Sequence, residues 1–278
     1  MSFYRDPPVF KREGVVLLAS ALIAASVGVR VAAQQQAPGL TQRGYVDSKL
    51  CSSCHADVYN SYMRTAMARS FARPGAENEI EDYSNNNSFF HAASATWFEM
   101  IRRGGQHYQR RYQIDFGGVQ TNIDETKIDY VIGSASHARA YLHRTADGKL
   151  MQLPLAWYSE AGGHWGMSPG YDSADHQYGR RAVAYECFFC HNAYPEISER
   201  NQYINQRLRD EPVYPAQLPE GIDCQRCHGP GANHIRAAGE AQASSDSIRR
   251  AIVNPARLSP AASLEVCLQC HLQSTSRH

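Results

Sequence analysis

The spacing of apolar residues changes along the chain, and each change predicts a different kind of segment. Residues 14–29 form a nearly unbroken apolar run preceded by Lys11 and Arg12, with small residues at Val31-Ala32-Ala33. That order predicts a cleaved export signal over residues 1–33. The alternative is an uncleaved anchor, since residues 15–33 approach bilayer length, but Ser20, Ser26 and Arg30 interrupt the run. Gln34-Gln35-Gln36-Ala37-Pro38-Gly39 begins a polar linker over residues 34–44. From Ala56 to Phe71 the spacing turns helical, because Tyr59, Met63, Ala66, Met67 and Ser70 share a face with His55.

Residues 80–160 switch to alternation. Thr96 to Ile101 and His107 to Tyr112 read as two strands joined through Gly104-Gly105. Thr126 to Ile132 alternates in part, and Asp147-Gly148 between Ala140–His143 and Leu150–Leu153 is a strong hairpin signal. Beyond it, Pro212, Pro215 and Pro219 predict an extended connector, and Ser259-Pro260 a capped helix start. The expected architecture is therefore mostly irregular or α-helical over residues 45–278, with a small β-rich insertion at 80–160.

Cysteine usage decides the chemistry. All eight cysteines fall in four copies of Cys-x-x-Cys-His: Cys51, Cys54 and His55; Cys187, Cys190 and His191; Cys224, Cys227 and His228; Cys267, Cys270 and His271. This is the attachment signature of c-type haem. Two thiols one helical turn apart add to the porphyrin vinyl groups, and the following His becomes the proximal iron ligand. A zinc ribbon also uses paired cysteines but gives no reason for a His after every second one. A disulfide framework would not repeat one pentapeptide four times. Four covalently attached haems are expected, and the short elements between motifs imply that porphyrins form much of the core.

Eight further histidines are available as distal ligands. His234 ranks first, because Gly229-Pro230-Gly231 forces a turn between it and His228. Six residues span at most ~20 Å, too little to wrap round a porphyrin, so His234 is expected to serve a neighbouring haem. His137, in a loop before a strand, and His176, in a polar loop, come next; His91 is a fourth choice. Met67 is an alternative axial ligand, though Met63 and Met67 read better as packing against porphyrin.

Charge gives no sign of a nucleic-acid partner. Removing residues 1–33 takes away four basic and two acidic groups, so the formal charge falls from +1 to −1, and haem propionates would lower it further. Membrane association is expected only if the first segment stays uncleaved.

The stretch Cys224-Gln225-Arg226-Cys227-His228-Gly229-Pro230-Gly231-Ala232-Asn233-His234 resembles the multihaem cytochrome family that includes cytochrome c554. That resemblance implies close haem packing, with His234 as distal ligand to another haem. Further pieces, Tyr62–Met67, His137–Leu142, Met167–Asp172 and Cys190–Pro195, resemble exported multihaem proteins that carry C-terminal tetratricopeptide repeats. The long β-rich insertion departs from cytochrome c554. The function expected is electron transfer between exported redox proteins. The alternatives are a reductase or oxidase of small nitrogen species at one five-coordinate haem, and the redox head of a longer docking protein. Only seven mostly polar residues follow His271, so a longer chain covering the fourth haem is expected, unless His278 folds back as its ligand.

Overall fold

The computed structural model describes residues 44–176, 178, 181–193 and 212–271. The expected export segment and nearly all of the linker lie outside the described residues. Eleven strands are described: β1 Phe71–Ala72, β2 Ser88–His91, β3 Thr96–Arg103, β4 Gln106–Ile114, β5 Gln120–Ile128, β6 Tyr130–Ile132, β7 Ala138–Arg144, β8 Leu150–Gln152, β9 Leu155–Tyr158, β10 His164–Met167 and β11 Arg181–Ala182. They form two antiparallel sheets. One is the meander β2-β3-β4-β5; the other runs β1-β6-β7-β8-β11, with β9 also paired to β7 and β10 to β9.

Local sequence explains the meander. Thr96, Phe98 and Met100 of β3 face inward while Trp97, Glu99 and Ile101 alternate outward. Gly104 and Gly105 both take positive φ, at 58° and 73°, as a tight hairpin between right-twisted strands requires. Trp97 then pairs with Tyr112, and Glu99 with Arg110.

The chain's own side chains fill two cores. One draws Phe98, Met100, Tyr141, Leu155, Trp157 and Trp165 from both sheets. The other gathers Phe71, Tyr130, Leu142, Leu150, Phe188 and Tyr214. The expectation of a mostly irregular or helical fold around haems, with a small β-rich insertion, is thus overturned. The alternating strands recruit flanking segments, β1 against β6 and β11 against β8, so the sheet body reaches from residue 71 to 182. Alternation gives β3 an apolar inner face, and Phe98 and Met100 of that face pack with Tyr141, Leu155 and Trp157 of the other sheet.

Among the described residues six helices flank this body: α1 Ser52–Tyr62, α2 Tyr185–His191, α3 Cys224–His228, α4 Ala232–Gly239, α5 Ser245–Arg250 and α6 Pro260–His271. The start of α6 follows its cap, since Ala262 N donates to Ser259 Oγ at 3.3 Å. α1 stops at Tyr62 instead of running to Phe71. Its continuation bonds to another segment: Ile222 N donates to Met67 O at 3.0 Å and Gly221 N to Phe71 O at 2.7 Å. The proline-rich connector is extended as expected and strapped to the β7–β8 hairpin, where Arg144 donates to the Pro215 and Tyr214 carbonyls at 2.9 and 2.6 Å. No described helix is long and apolar enough to cross a membrane.

Candidate haem-attachment site

The four motifs lie on α1, α2, α3 and α6 and are cross-linked by side chains from within them. Gln225, 2% exposed, ties the third motif to the approach of the first. Its Oε1 accepts from Val46 N at 2.9 Å and from Gly231 N at 3.1 Å, and its Nε2 donates to Val46 O at 2.7 Å. Ala232 N donates to Gly44 O at 3.0 Å, and Tyr62 Oη to Ile222 O at 2.7 Å. The Cys51 and Cys224 thiols hydrogen-bond, which pulls Cys51 down to about 7 and pushes Cys224 up. The second and fourth motifs meet similarly, with Cys190 Sγ 3.9 Å from Cys270 O and Cys270 Sγ 3.9 Å from Phe189 O.

This packing brings two predicted ligands together. The His55 and His234 rings have centroids 6.3 Å apart and planes within 15° of parallel. His55 sits at a kink in α1, with φ −122° and ψ 42°. His234 lies near the start of α4, and its Nδ1 is 2.9 Å from Ile248 O. His228 is held alike, Nδ1 to Val253 O at 2.8 Å. A backbone carbonyl on Nδ1 makes that atom the protonated one and leaves Nε2 as the electron-pair donor, the usual outer-shell support of a ligating His.

The remaining site residues are distributed unevenly. His191 ends α2; burial pushes its imidazole down and favours the neutral form a metal needs, and its carbonyl accepts from Ser70 Oγ at 2.8 Å. His271 ends α6 and is exposed. His137 is exposed in the loop before β7. His176 packs beside His91, Phe98 and Tyr171 in the sheet body, and burial lowers it, helped by His91 and Arg111. His91 is buried with both nitrogens engaged, Nδ1 at 2.8 Å from Ser94 Oγ and Nε2 at 3.1 Å from Asp172 O. Met63 and Met67 are 40% and 46% exposed.

Two tests of fit bear on haem. Metal–imidazole bonds run about 2 Å, so two imidazoles gripping one iron from opposite sides have centroids roughly 6 Å apart, matching His55 and His234. Apolar side chains around the motifs are also left uncovered by protein: Val58 is 69% exposed, Leu264 56% and Val253 44%. A porphyrin is the kind of surface such residues cover.

Sequence reasoning missed Gln225 and the neighbouring Arg226. Both lie between motif cysteines, where the spacing rule places no demand. The Ile248 and Val253 carbonyls carry no side-chain signal at all.

No family model matches the chain, so the resemblance to the cytochrome c554 family stands on the quoted motifs alone. No curated protein matches it. Among solved structures it is similar to the undecaheme cytochrome from the S-layer of Carboxydothermus ferrireducens, with 17% sequence identity and a TM-score of 0.37. The similarity covers 84% of this chain and 26% of that one, so the chain spans about a quarter of that protein's length.

Proposed function

We propose that the chain is an exported tetrahaem c-type cytochrome that passes electrons between redox partners. The observation carrying this reading is the His55–His234 pair at 6.3 Å, set among four Cys-x-x-Cys-His motifs that use every cysteine. Each bound haem would supply a one-electron iron couple. Cys51 and Cys54 would hold the first haem by thioether bonds, with His55 and His234 as its candidate iron ligands. The other pairs, Cys187 and Cys190, Cys224 and Cys227, Cys267 and Cys270, would hold three more over His191, His228 and His271. The carbonyls of Ile248 and Val253 would hold the Nδ1 side of His234 and His228 and leave Nε2 to the iron. Exposed apolar side chains such as Val58 and Leu264 would keep water from the ring faces. Residues 1–33 would direct export. His137 and His176 are the further distal candidates, while His91 would first have to release Ser94 or Asp172.

That engagement of His91 favours a second reading at one haem: an iron left five-coordinate could reduce or oxidise small nitrogen species. Intact mass of protein matured with the attachment machinery should exceed the signal-cleaved chain by four haems, and a zinc adduct or bare chain would sink the proposal. In His234→Ala, one haem should turn high-spin and bind carbon monoxide while all four stay attached. Carbon monoxide binding by the unmodified protein would favour the second reading.

A further inference from the structure

Arg226 lies between the two cysteines of the third motif and is 7% exposed. Its Nη2 donates to Phe189 O at 2.6 Å and to Asn192 O at 3.3 Å, and its Cζ lies 4.4 Å from the centroid of the Phe189 ring. Those two carbonyls flank Cys190 and His191 of the second motif. The backbone carbonyl of Arg226 accepts from Gln269 Nε2 at 3.2 Å, inside the fourth motif. Arg226 therefore ties three attachment motifs together, its guanidinium on the second and its backbone carbonyl on the fourth, and a guanidinium carries a positive charge.

We propose that Arg226 is a positioning residue that tunes reduction potential, its buried charge favouring the reduced form of the haems on the second and third motifs. The proposal rests on the tetrahaem reading above. Taking up one electron lowers the charge of a haem site by one, so a fixed cation nearby stabilises the reduced state. Burial keeps that interaction from being screened by salt. Charge and hydrogen bonding around a haem are established levers on its potential. A staple with no electrostatic role would need the two carbonyl contacts but not the charge.

Spectroelectrochemical titration of the haem-loaded protein separates the two. Arg226→Gln should lower one or two of the four midpoints by at least tenfold in the reduction equilibrium, about 59 mV for a one-electron couple. The remaining midpoints should hold, and Arg226→Lys should restore most of the loss. Four unmoved midpoints in Arg226→Gln, or an equal shift in Arg226→Lys, would overturn the proposal. If Arg226→Gln fails to mature, Gln269→Glu brings an opposing charge to the same junction. It should lower the same midpoints, and unchanged values would again overturn the role. Intact mass on the same samples keeps the failures apart: a wild type without four haem adducts refutes the tetrahaem reading, whereas four adducts with unmoved midpoints refute only the tuning by Arg226.

Discussion

In the sheets, Phe98, Met100, Tyr141 and Leu155 are fully sealed from solvent; in α1, α4, α5 and α6, no residue is buried. Fully burying a large apolar side chain contributes about 1.5–3 kcal/mol, whereas a typical hydrogen bond contributes about 1 kcal/mol. The sheet body therefore holds itself together from its own sequence. The helices take their order from Gln225, Arg226 and a few backbone bonds, and apolar side chains on them such as Val58 and Leu264 stay exposed. Phe188 joins the two regimes: it belongs to the second motif yet stacks on Tyr214 with centroids 4.4 Å apart, so α2 is seated in the sheet core.

The sharpest way to break this contrast is at the seam. Gly221 has φ 56°, and a Cβ there would lie 1.9 Å from Ala68 O. Backbone strain of this kind costs about 1–3 kcal/mol, and the clash adds to it. Gly221→Val should lose more than about 4 kcal/mol, lowering haem content by mass while the aromatic near-UV signal of the sheet core persists. A wild-type melting temperature in that variant would mean the seam is not where the two regions are joined.

A second substitution tests whether the sheets stand alone. Arg139 and Glu81 form a buried ion pair at 3.0 Å with side chains 4% and 2% exposed, and Tyr141 Oη also donates to Glu81, at 2.7 Å. Arg139→Ala strands a buried carboxylate and should cost about 3 kcal/mol in thermal unfolding. The visible haem spectrum should not move; a changed spectrum would show that the regions are coupled.

The smallest effect is a pH dependence on the sheet surface. His143 is raised by its hydrogen bond to Asp129, against burial. Burial pushes Asp129 up, but the bonds from His143 and the Arg144 N–H outweigh it and leave it lowered. The His contribution is full below its unfolded value near ~6.5 and is lost as pH rises through the raised folded value. The Asp contribution is present above ~3.9 and is lost as pH falls through the depressed one. His143→Gln should therefore lower the melting temperature most between about pH 4 and 6.5. The two side chains are 32% and 19% exposed, so the loss should stay below about 1 kcal/mol and fade by pH 8.5; an equal loss at both pH values would remove the ion-pair explanation.

What could be read from the sequence was local. The β3–β4 hairpin announces itself through Gly104-Gly105, the β7–β8 hairpin through Asp147-Gly148, and α6 through Ser259-Pro260. The two-residue strands β1 and β11 have no periodicity to read, and their pairing is settled by partners some sixty and thirty residues away. Missing them made the sheet body look like an insertion. The motifs name the cysteines and proximal histidines on which the proposal rests, and the Gly-Pro-Gly turn singled out His234 as a candidate. His91 showed the limit, because its two partners are a short-range serine and a distant backbone carbonyl.

The bond between Val46 and Gln225 spans 179 positions, which has a consequence for the order of assembly. Closing so long a loop is entropically costly, and contacts of that range form late. The sheet body shortens the path by folding most of the intervening chain, from β1 to β11, into one block. The first motif is thus the earliest to exist as sequence and among the last to be completed as structure. Its His55 meets His234 only when the long stretch of chain between them has been brought round.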